Sequence, residues 1–174
     1  MAAVLKLSLE TIRQMLIGIE GAEVANLNTP EQTVISGSVA GVAAATDALK
    51  AVGARVIALQ VSAPFHSSLM QPARERFERD LAATEFHDFY FPVVANVTAL
   101  ENVDAALLPD ALSRQVTGSV RWVESVQRLA ALGVTQFIEF GPGAVLTGMV
   151  KRIVPDAVTF NISTPATLEV YLRR

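Results

Sequence analysis

The chain has 174 residues, 51% of them apolar, enough for one domain of ordinary size with a sizeable core. Its formal charge of -3 argues against a nucleic-acid surface, which needs a concentrated basic stripe, and the absence of cysteine excludes disulfides, thiolate catalysis and cysteine-ligated zinc. Two histidines without His-x-x-x-His spacing lead us to expect no metal, no apolar run reaches the ~18 residues of a membrane span, and Lys6, Glu10 and Arg13 interrupt the amino end before a signal-peptide core forms, so the expected location is cytoplasmic.

Residues 1–61 read as strand, helix, strand, strand, helix, strand, the order of a four-stranded antiparallel sheet backed by two helices, a ferredoxin-like unit. Ala2 to Leu5 opens it. Ser8 stands as the N-cap of a helix with Leu9, Ile12, Leu16 and Ile19 at helical spacing. Val24 to Leu27 and Thr33 to Ser36 flank the Asn28-Thr29-Pro30-Glu31 connection as a hairpin. Gly37 and Ser38 start an alanine-rich helix through Val42, Leu49 and Val52, and Gly53 is placed to end it. Val56-Ile57-Ala58-Leu59-Gln60-Val61 then reads as a buried strand.

After the Ser62-Ala63-Pro64-Phe65-His66-Ser67-Ser68 run, Leu69, Ala73, Phe77 and Leu81 recur every four residues, with Pro72 tolerated in a first helical turn. His66 is therefore expected on a loop held between two rigid elements. A general base fits such a place, and so does a capping or structural histidine, because a lone imidazole fixes no chemistry without a partner. From residue 62 to 174 helices alternate with apolar strands, which favours a parallel sheet. The expected strands are Pro92 to Val97, Gln136 to Phe140 and Val158 to Ile162. The helices between and after them include Trp122, Val126 and Leu129, then Val145 to Ile153, then a last one around Thr167 to Leu172. The fold class is α/β, with an α+β amino-terminal subdomain over 1–61 and a parallel-sheet domain over 62–174.

Gly141-Pro142-Gly143 follows a strand and opens a helix, but it lacks both the Gly-x-Gly-x-x-Gly and the Gly-Lys-Ser/Thr patterns, and a tight turn explains its glycines. Glu75, Glu78, Glu101 and Asp104 read as solvated charges, and His87, among Glu85, Asp88 and Tyr90, as surface. On composition, Lys151-Arg152 is a solvated helix end.

Four ordered blocks carry a likeness that covers nearly the whole chain. The Ser62 to Met70 run resembles the histidine-bearing segment of the malonyl-CoA:acyl-carrier-protein transacylases. Val24 to Gly37 resembles the Asn-rich hairpin of that family. Arg114-Gln115 with Val120-Arg121-Trp122, and then Glu139 to Gly148, resemble two later segments, while Met1 to Leu5 is similar to the strand that opens the family's small subdomain. The family uses a Gly-x-Ser-x-Gly elbow like that of the α/β hydrolases, and no such pentapeptide occurs in this sequence. The resemblance is thus to a C-terminal portion. The family's serine, its malonyl-pairing arginine and a glutamine near the oxyanion hole all precede the point matched by Met1.

The resemblance implies a ferredoxin-like small subdomain joined to the C-terminal part of an α/β-hydrolase-like domain. It implies that His66 takes the proton of a nucleophilic serine and returns it to the leaving thiol. A main-chain carbonyl at Gln115 would orient the ring, in place of the carboxylate of a Ser-His-Asp system; the alternative is that Gln115 is an exposed helix residue. Phe65 matches the malonyl-selecting version of the motif, since a bulky ring narrows the space for an α-methyl group; otherwise it is core. Asn26 and Asn28 are cleft residues or turn formers. Lys151 and Arg152 match a basic docking surface for an acidic acyl carrier protein.

Malonyl-CoA is then the substrate, with no bound cofactor, and malonyl passes through an acyl-serine to the carrier's phosphopantetheine thiol. This chain carries the base but not the nucleophile and is expected to be inactive alone. The rival readings are a non-catalytic carrier-binding or assembly module, half of a split enzyme, or a fragment without a separate role. An open apolar sheet edge would invite a complementary N-terminal half or self-association.

Overall fold

The computed structural model describes residues 1–173. The chain divides into two compact units, one over Met1–Ser125 and one from Val126 onward.

The first unit opens with β1 (Ala2–Leu5), α1 (Leu9–Leu16), β2 (Ala22–Thr29), β3 (Gln32–Gly37), α2 (Val39–Ala51) and β4 (Arg55–Ala58). The strands form one sheet in the order β2-β3-β1-β4, with every neighbour antiparallel, the topology of a ferredoxin-like unit. α1 begins at the cap expected at Ser8, and α2 begins after Gly37 and Ser38, where its start was expected. Ser8 Oγ accepts from the Thr11 N–H at 3.1 Å and Ser38 Oγ from the Gly41 N–H at 2.9 Å, each satisfying a donor that the helix itself leaves unpaired. Gly53, with φ +93°, takes the left-handed turn after α2.

Alternation sorts the strand residues onto two faces. Ala2, Val4 and Ile35 pack with Ile12, Ala45 and Leu49 of the helices, whereas Ala3, Ala25 and Val34 gather with Met1 and Leu59 on the opposite face. β2 carries register shifts between Val24 and Asn26 and between Leu27 and Thr29. The strand expected to be buried from Val56 to Val61 is shorter and more exposed: β4 ends at Ala58, and Ile57 and Val61 are 41% and 45% exposed. The reason is position. β4 is an edge strand paired only with β1, so its outer side has no neighbouring strand whose side chains would cover its own.

A 3₁₀ turn, Ser68–Met70, leads into α3 (Gln71–Ala82), with Pro72 in its first turn. β5 (Val93–Ala95) follows. It pairs antiparallel with β6 (Leu100–Asn102), so the expected strand at Pro92 to Val97 is half of a short hairpin and not a member of a parallel sheet. The β6 partner has no alternating apolar pattern to announce it. Then come α4 (Leu108–Thr117), which packs on α3, and α5 (Trp122–Ala131), which runs across the boundary between the units.

The second unit is built from β7 (Gln136–Phe140), α6 (Val145–Ile153), β8 (Val158–Ile162) and α7 (Pro165–Leu172). β7 and β8 pair in parallel from Gln136 with Val158 to Phe140 with Ile162. Phe160 meets Tyr171 of α7 edge to face, with centroids 5.2 Å apart. Thr164 and Thr167 form a capping box at the start of α7. Among the described residues no helix is long and apolar enough to cross a membrane.

Candidate active site

His66 follows Phe65 on the loop between β4 and the 3₁₀ turn, half-buried, with a left-handed backbone at φ +57°. For a residue with a Cβ that conformation costs about 1–2 kcal/mol, so the surroundings must hold it there. One restraint is next to it. Ser67 is fully buried, and its hydroxyl donates to the Pro64 carbonyl at 2.7 Å, closing the loop on itself. A second comes from β2, where the Glu23 carboxylate accepts from the Ser68 N–H at 3.1 and 3.2 Å and from the Ser68 hydroxyl.

The ring of His66 reaches α4. Its Nδ1 lies 3.1 Å from the main-chain oxygen of Gln115, which sits in the last turn of that helix, where carbonyls have no intrahelical partner. A carbonyl only accepts, so this contact requires a proton on Nδ1 and, in the neutral ring, leaves Nε2 with its lone pair, the form in which an imidazole acts as a base. Gln115 is half-buried, and its side chain turns back to donate from Nε2 to the Gly118 carbonyl at 2.9 Å, tightening the end of α4.

Beyond Gly118 the chain is stitched to β2. Ser119 Oγ donates to the Val24 carbonyl at 2.5 Å, Val120 N–H to the Ala25 carbonyl at 2.8 Å, and Leu27 N–H to the Val120 carbonyl at 2.9 Å. Arg121 then donates from its backbone to the Asn96 carbonyl at 3.0 Å and from Nη1 to the Thr98 carbonyl at 2.9 Å, fixing the β5–β6 turn, and it pairs with Glu124.

Among the residues singled out from sequence, His66 and Gln115 are thus in direct contact. Phe65 is 41% exposed, so it is not core. Asn26 and Asn28 lie within β2 and not in the turn, which consists of Pro30 and Glu31; Asn26 bridges to Val120 and sits opposite Val34, on the sheet face away from α1 and α2. His87 is on the surface, its side chain 80% exposed beside Glu85.

Glu78 departs from its reading as a free solvated charge. The buried Ser113 hydroxyl donates to it at 2.5 Å and Arg74 Nε at 3.0 Å, joining α3 to α4. The Ser113 hydrogen bond first, and then Arg74, hold its carboxyl below the ordinary glutamate range. Asp104 also has a local task, accepting from the Ala106 N–H at 2.9 Å.

In the second unit, Lys151 and Arg152 occupy the last turn of α6 and are exposed, where positive charge suits the carbonyl end of a helix. The other end of α6 is closed by a residue that sequence reading passed over. Glu139, in β7, accepts from the Leu146 N–H at 3.1 Å, the Thr147 N–H at 2.8 Å and the Thr147 hydroxyl at 2.6 Å, replacing the cap that Ala144 lacks. The Thr147 hydroxyl, then its backbone N–H, keeps the Glu139 carboxyl below the ordinary range. The helix end after Gly141-Pro142-Gly143 is therefore already filled by the chain's own anion. Among the described residues no group of three or more His, Asp or Glu is placed to hold a metal ion.

No family model matches the chain. It is 42% identical, over an alignment of 178 positions, to the malonyl CoA-acyl carrier protein transacylase of Bacillus subtilis (strain 168), taking in 99% of this chain and 56% of that protein. The corresponding protein of Synechocystis sp. (strain ATCC 27184 / PCC 6803 / Kazusa) is 42% identical, over 93% of this chain and 55% of its own length. Among solved structures, an acyl-carrier-protein S-malonyltransferase from Burkholderia pseudomallei 1710b matches with a TM-score of 0.94 and 42% identity, over 99% of this chain and 58% of that one. A malonyl-transacylase in complex with its type II PKS acyl-carrier protein matches with a TM-score of 0.94 and 37% identity, over 99% of this chain and 57% of that one. The chain spans about half the length of the curated relatives it matches. Sequence and fold agree with those of malonyl CoA-acyl carrier protein transacylases over almost all the residues of this chain and about half the length of theirs.

Proposed function

We propose that this chain supplies the general base of malonyl transfer from coenzyme A to the phosphopantetheine thiol of an acyl carrier protein, with His66 as the base and Gln115 as its orienting residue. The observation that carries this reading is the His66 Nδ1 to Gln115 carbonyl contact at 3.1 Å, which presents Nε2 as the free nitrogen. In the first half-reaction Nε2 takes the proton of a serine hydroxyl as its oxygen attacks the thioester carbonyl, and the carbon–sulfur bond breaks as the proton passes to the departing coenzyme A thiolate. In the second, the carrier thiol gives its proton to Nε2, its sulfur attacks the acyl-serine, and the serine oxygen recovers the proton. Gln115 accepts from Nδ1–H in both the neutral and the protonated ring, so the orientation is kept throughout.

Phe65, exposed beside the base, is the proposed contact against an α-methyl group on the acyl chain, with Asn26 and Asn28 lining the same region. The Gly-x-Ser-x-Gly elbow is not among these 174 residues, so the polypeptide alone is expected to form no acyl-enzyme. Residues 1–61 and 62–174 are proposed as the small and large subdomain portions, in a cytoplasmic protein.

The test is intact-mass measurement after incubation with malonyl-CoA, with the chain alone and with a polypeptide carrying the family's serine segment. Acylation confined to the added polypeptide, and lowered about 10²- to 10⁴-fold by His66→Ala, is expected. Malonylation of the chain alone, or transfer indifferent to His66→Ala, overturns the reading.

A second reading, a carrier-binding or assembly module, draws on the adjacent exposed cations Lys151 and Arg152 and on the two-stranded parallel β7–β8 pair, whose Phe140 and Val158 are 72% and 50% exposed. Carrier binding that survives His66→Ala and falls with Lys151→Glu favours it, and a complementary N-terminal half or a second copy is the occupant proposed for the sheet edge.

A further inference from the structure

Both partners of the His66–Gln115 contact are fastened to the same short stretch of β2. On the histidine side the fastening is Glu23. Neither the 3₁₀ turn at Ser68 nor α3 has a side-chain cap of its own, and Ser67 and Met70, at the capping positions, make no such bond. The carboxylate of Glu23, 45 positions earlier in sequence, takes over that task by accepting from the N–H and the hydroxyl of Ser68, two residues after the base. On the glutamine side, Ser119 and Val120 are bonded to Val24, Ala25 and Leu27. The separation between the imidazole and its acceptor is therefore set by the distance along β2 from Glu23 to Leu27.

We infer that Glu23 is a positioning residue for His66: by holding Ser68 it keeps the His66 backbone left-handed and its Nδ1 directed at the Gln115 carbonyl. The inference rests on His66 acting as the base, but its geometric content is measurable without catalysis. A carboxylate suits the task because it accepts two hydrogen bonds at once and carries the charge that the amino end of a helical segment attracts. An aliphatic residue at position 23 would leave the Ser68 N–H to water, and nothing else named on β2 would hold the loop against relaxation of a conformation that a Cβ disfavours.

The signature is the tautomer of His66. An imidazole held by a carbonyl at Nδ1 carries its proton there, whereas an exposed imidazole is free to place it on Nε2. The chain has two histidines, so His87, on the surface, is an internal reference in the same spectrum. Imidazole nitrogen shifts recorded at about pH 8.5, above the ordinary imidazole range of ~6.5, read the ratio directly. In the native chain the Nδ1–H form is expected to predominate at His66. In Glu23→Ala it falls to the ratio seen at His87, and Glu23→Gln, whose amide oxygen still accepts from Ser68, restores most of it.

Ser68→Pro is the second variant and leaves β2 untouched. It deletes both donors to Glu23 at the first helical position, where proline is tolerated, after a Ser67 already extended at φ -135° and ψ 165°. It should shift the His66 ratio as Glu23→Ala does. A His66 ratio unchanged in either variant, with a folded amide spectrum, overturns the inference. If instead the ratio responds to Glu23 while malonyl transfer ignores His66→Ala, the geometric link stands and the catalytic reading falls.

Discussion

The main-chain oxygen of Gln115, not its side chain, receives Nδ1 of His66, at 3.1 Å across 49 positions of sequence. Gln115→Ala should therefore leave the His66 tautomer ratio as it is. What it removes is the Nε2 bond to the Gly118 carbonyl, worth about 0.5–1.5 kcal/mol in a urea unfolding curve. Loss of the Nδ1–H form in that variant would mean that the side chain matters for more than closing the helix end.

Glu139 is expected to govern the acid stability of the second unit. Its carboxyl is held below the ordinary value of 4.5, chiefly by the Thr147 hydroxyl, so its contribution is complete above pH 4.5 and is lost as pH falls through the lowered folded value. Glu139→Ala should destabilise α6 by about 1 kcal/mol near neutrality, as removal of a helix cap does. The difference between native and variant should then shrink on acidification. A difference that stays constant from neutrality down to acid pH would show that the cap does not depend on ionised Glu139.

The Arg74–Glu78–Ser113 cluster makes a separate prediction for the first unit. With Ser113→Ala the leading cause of the lowered Glu78 value is gone, so carboxyl titration by carbon NMR should place Glu78 closer to 4.5. By the same sign rule, the acid-side loss of the α3–α4 contact moves to higher pH in that variant. A Glu78 titration unaltered by Ser113→Ala would assign the depression to Arg74.

Two glycines should respond to alanine in opposite directions. A Cβ on Gly41 would run into the Gly21 carbonyl and lie 2.6 Å from the Glu20 carbonyl oxygen, all backbone that cannot swing aside, so Gly41→Ala should cost about 2 kcal/mol or more. A Cβ on Gly148, within α6, meets nothing within 4 Å, and Gly148→Ala should stabilise by ~0.5–1 kcal/mol through helix propensity. Denaturant midpoints of the two variants on opposite sides of the native value are the expected result.

Elements with local signals were readable from sequence. The cap at Ser8, the start of α2 at Ser38, the turn at Gly53 and the span of α6 each depend on residues within a few positions of one another. The antiparallel partner of β5 was missed because three residues, Leu100 to Asn102, are too few to show an alternation. The high apolar content of Val56 to Val61 points to burial, whereas exposure there follows from the place of β4 at the sheet edge, a tertiary fact.

At the candidate site, the blocks around His66 and Gln115 were legible, but Glu23, Ser119 and Glu139 were not assigned as supports. Glu23 and Ser119 reach their partners only through the fold, across 45 positions for Glu23 to Ser68 and 95 for Ser119 to Val24, and a lone acid or serine in a strand or turn looks the same with or without such a partner. Glu139, only eight positions from Thr147, could have been found by noticing that Ala144 leaves the start of α6 uncapped.

The stitch between β2 and Ser119–Val120 also bears on the order in which this molecule acquires its shape. All the pairings of the first sheet fall between Ala2 and Ala58, while the Ser119 to Val24 bond closes a loop of 95 positions. Loop-closure entropy grows with length, and non-local contacts are the slow ones to form. The sheet should therefore gain protection from amide exchange early in refolding, at Val4 and Ile35, before the Leu27 and Val120 amides do. An intermediate with a finished sheet would then still have its imidazole unaimed, and the refolding time course of exchange at those four amides would reveal it.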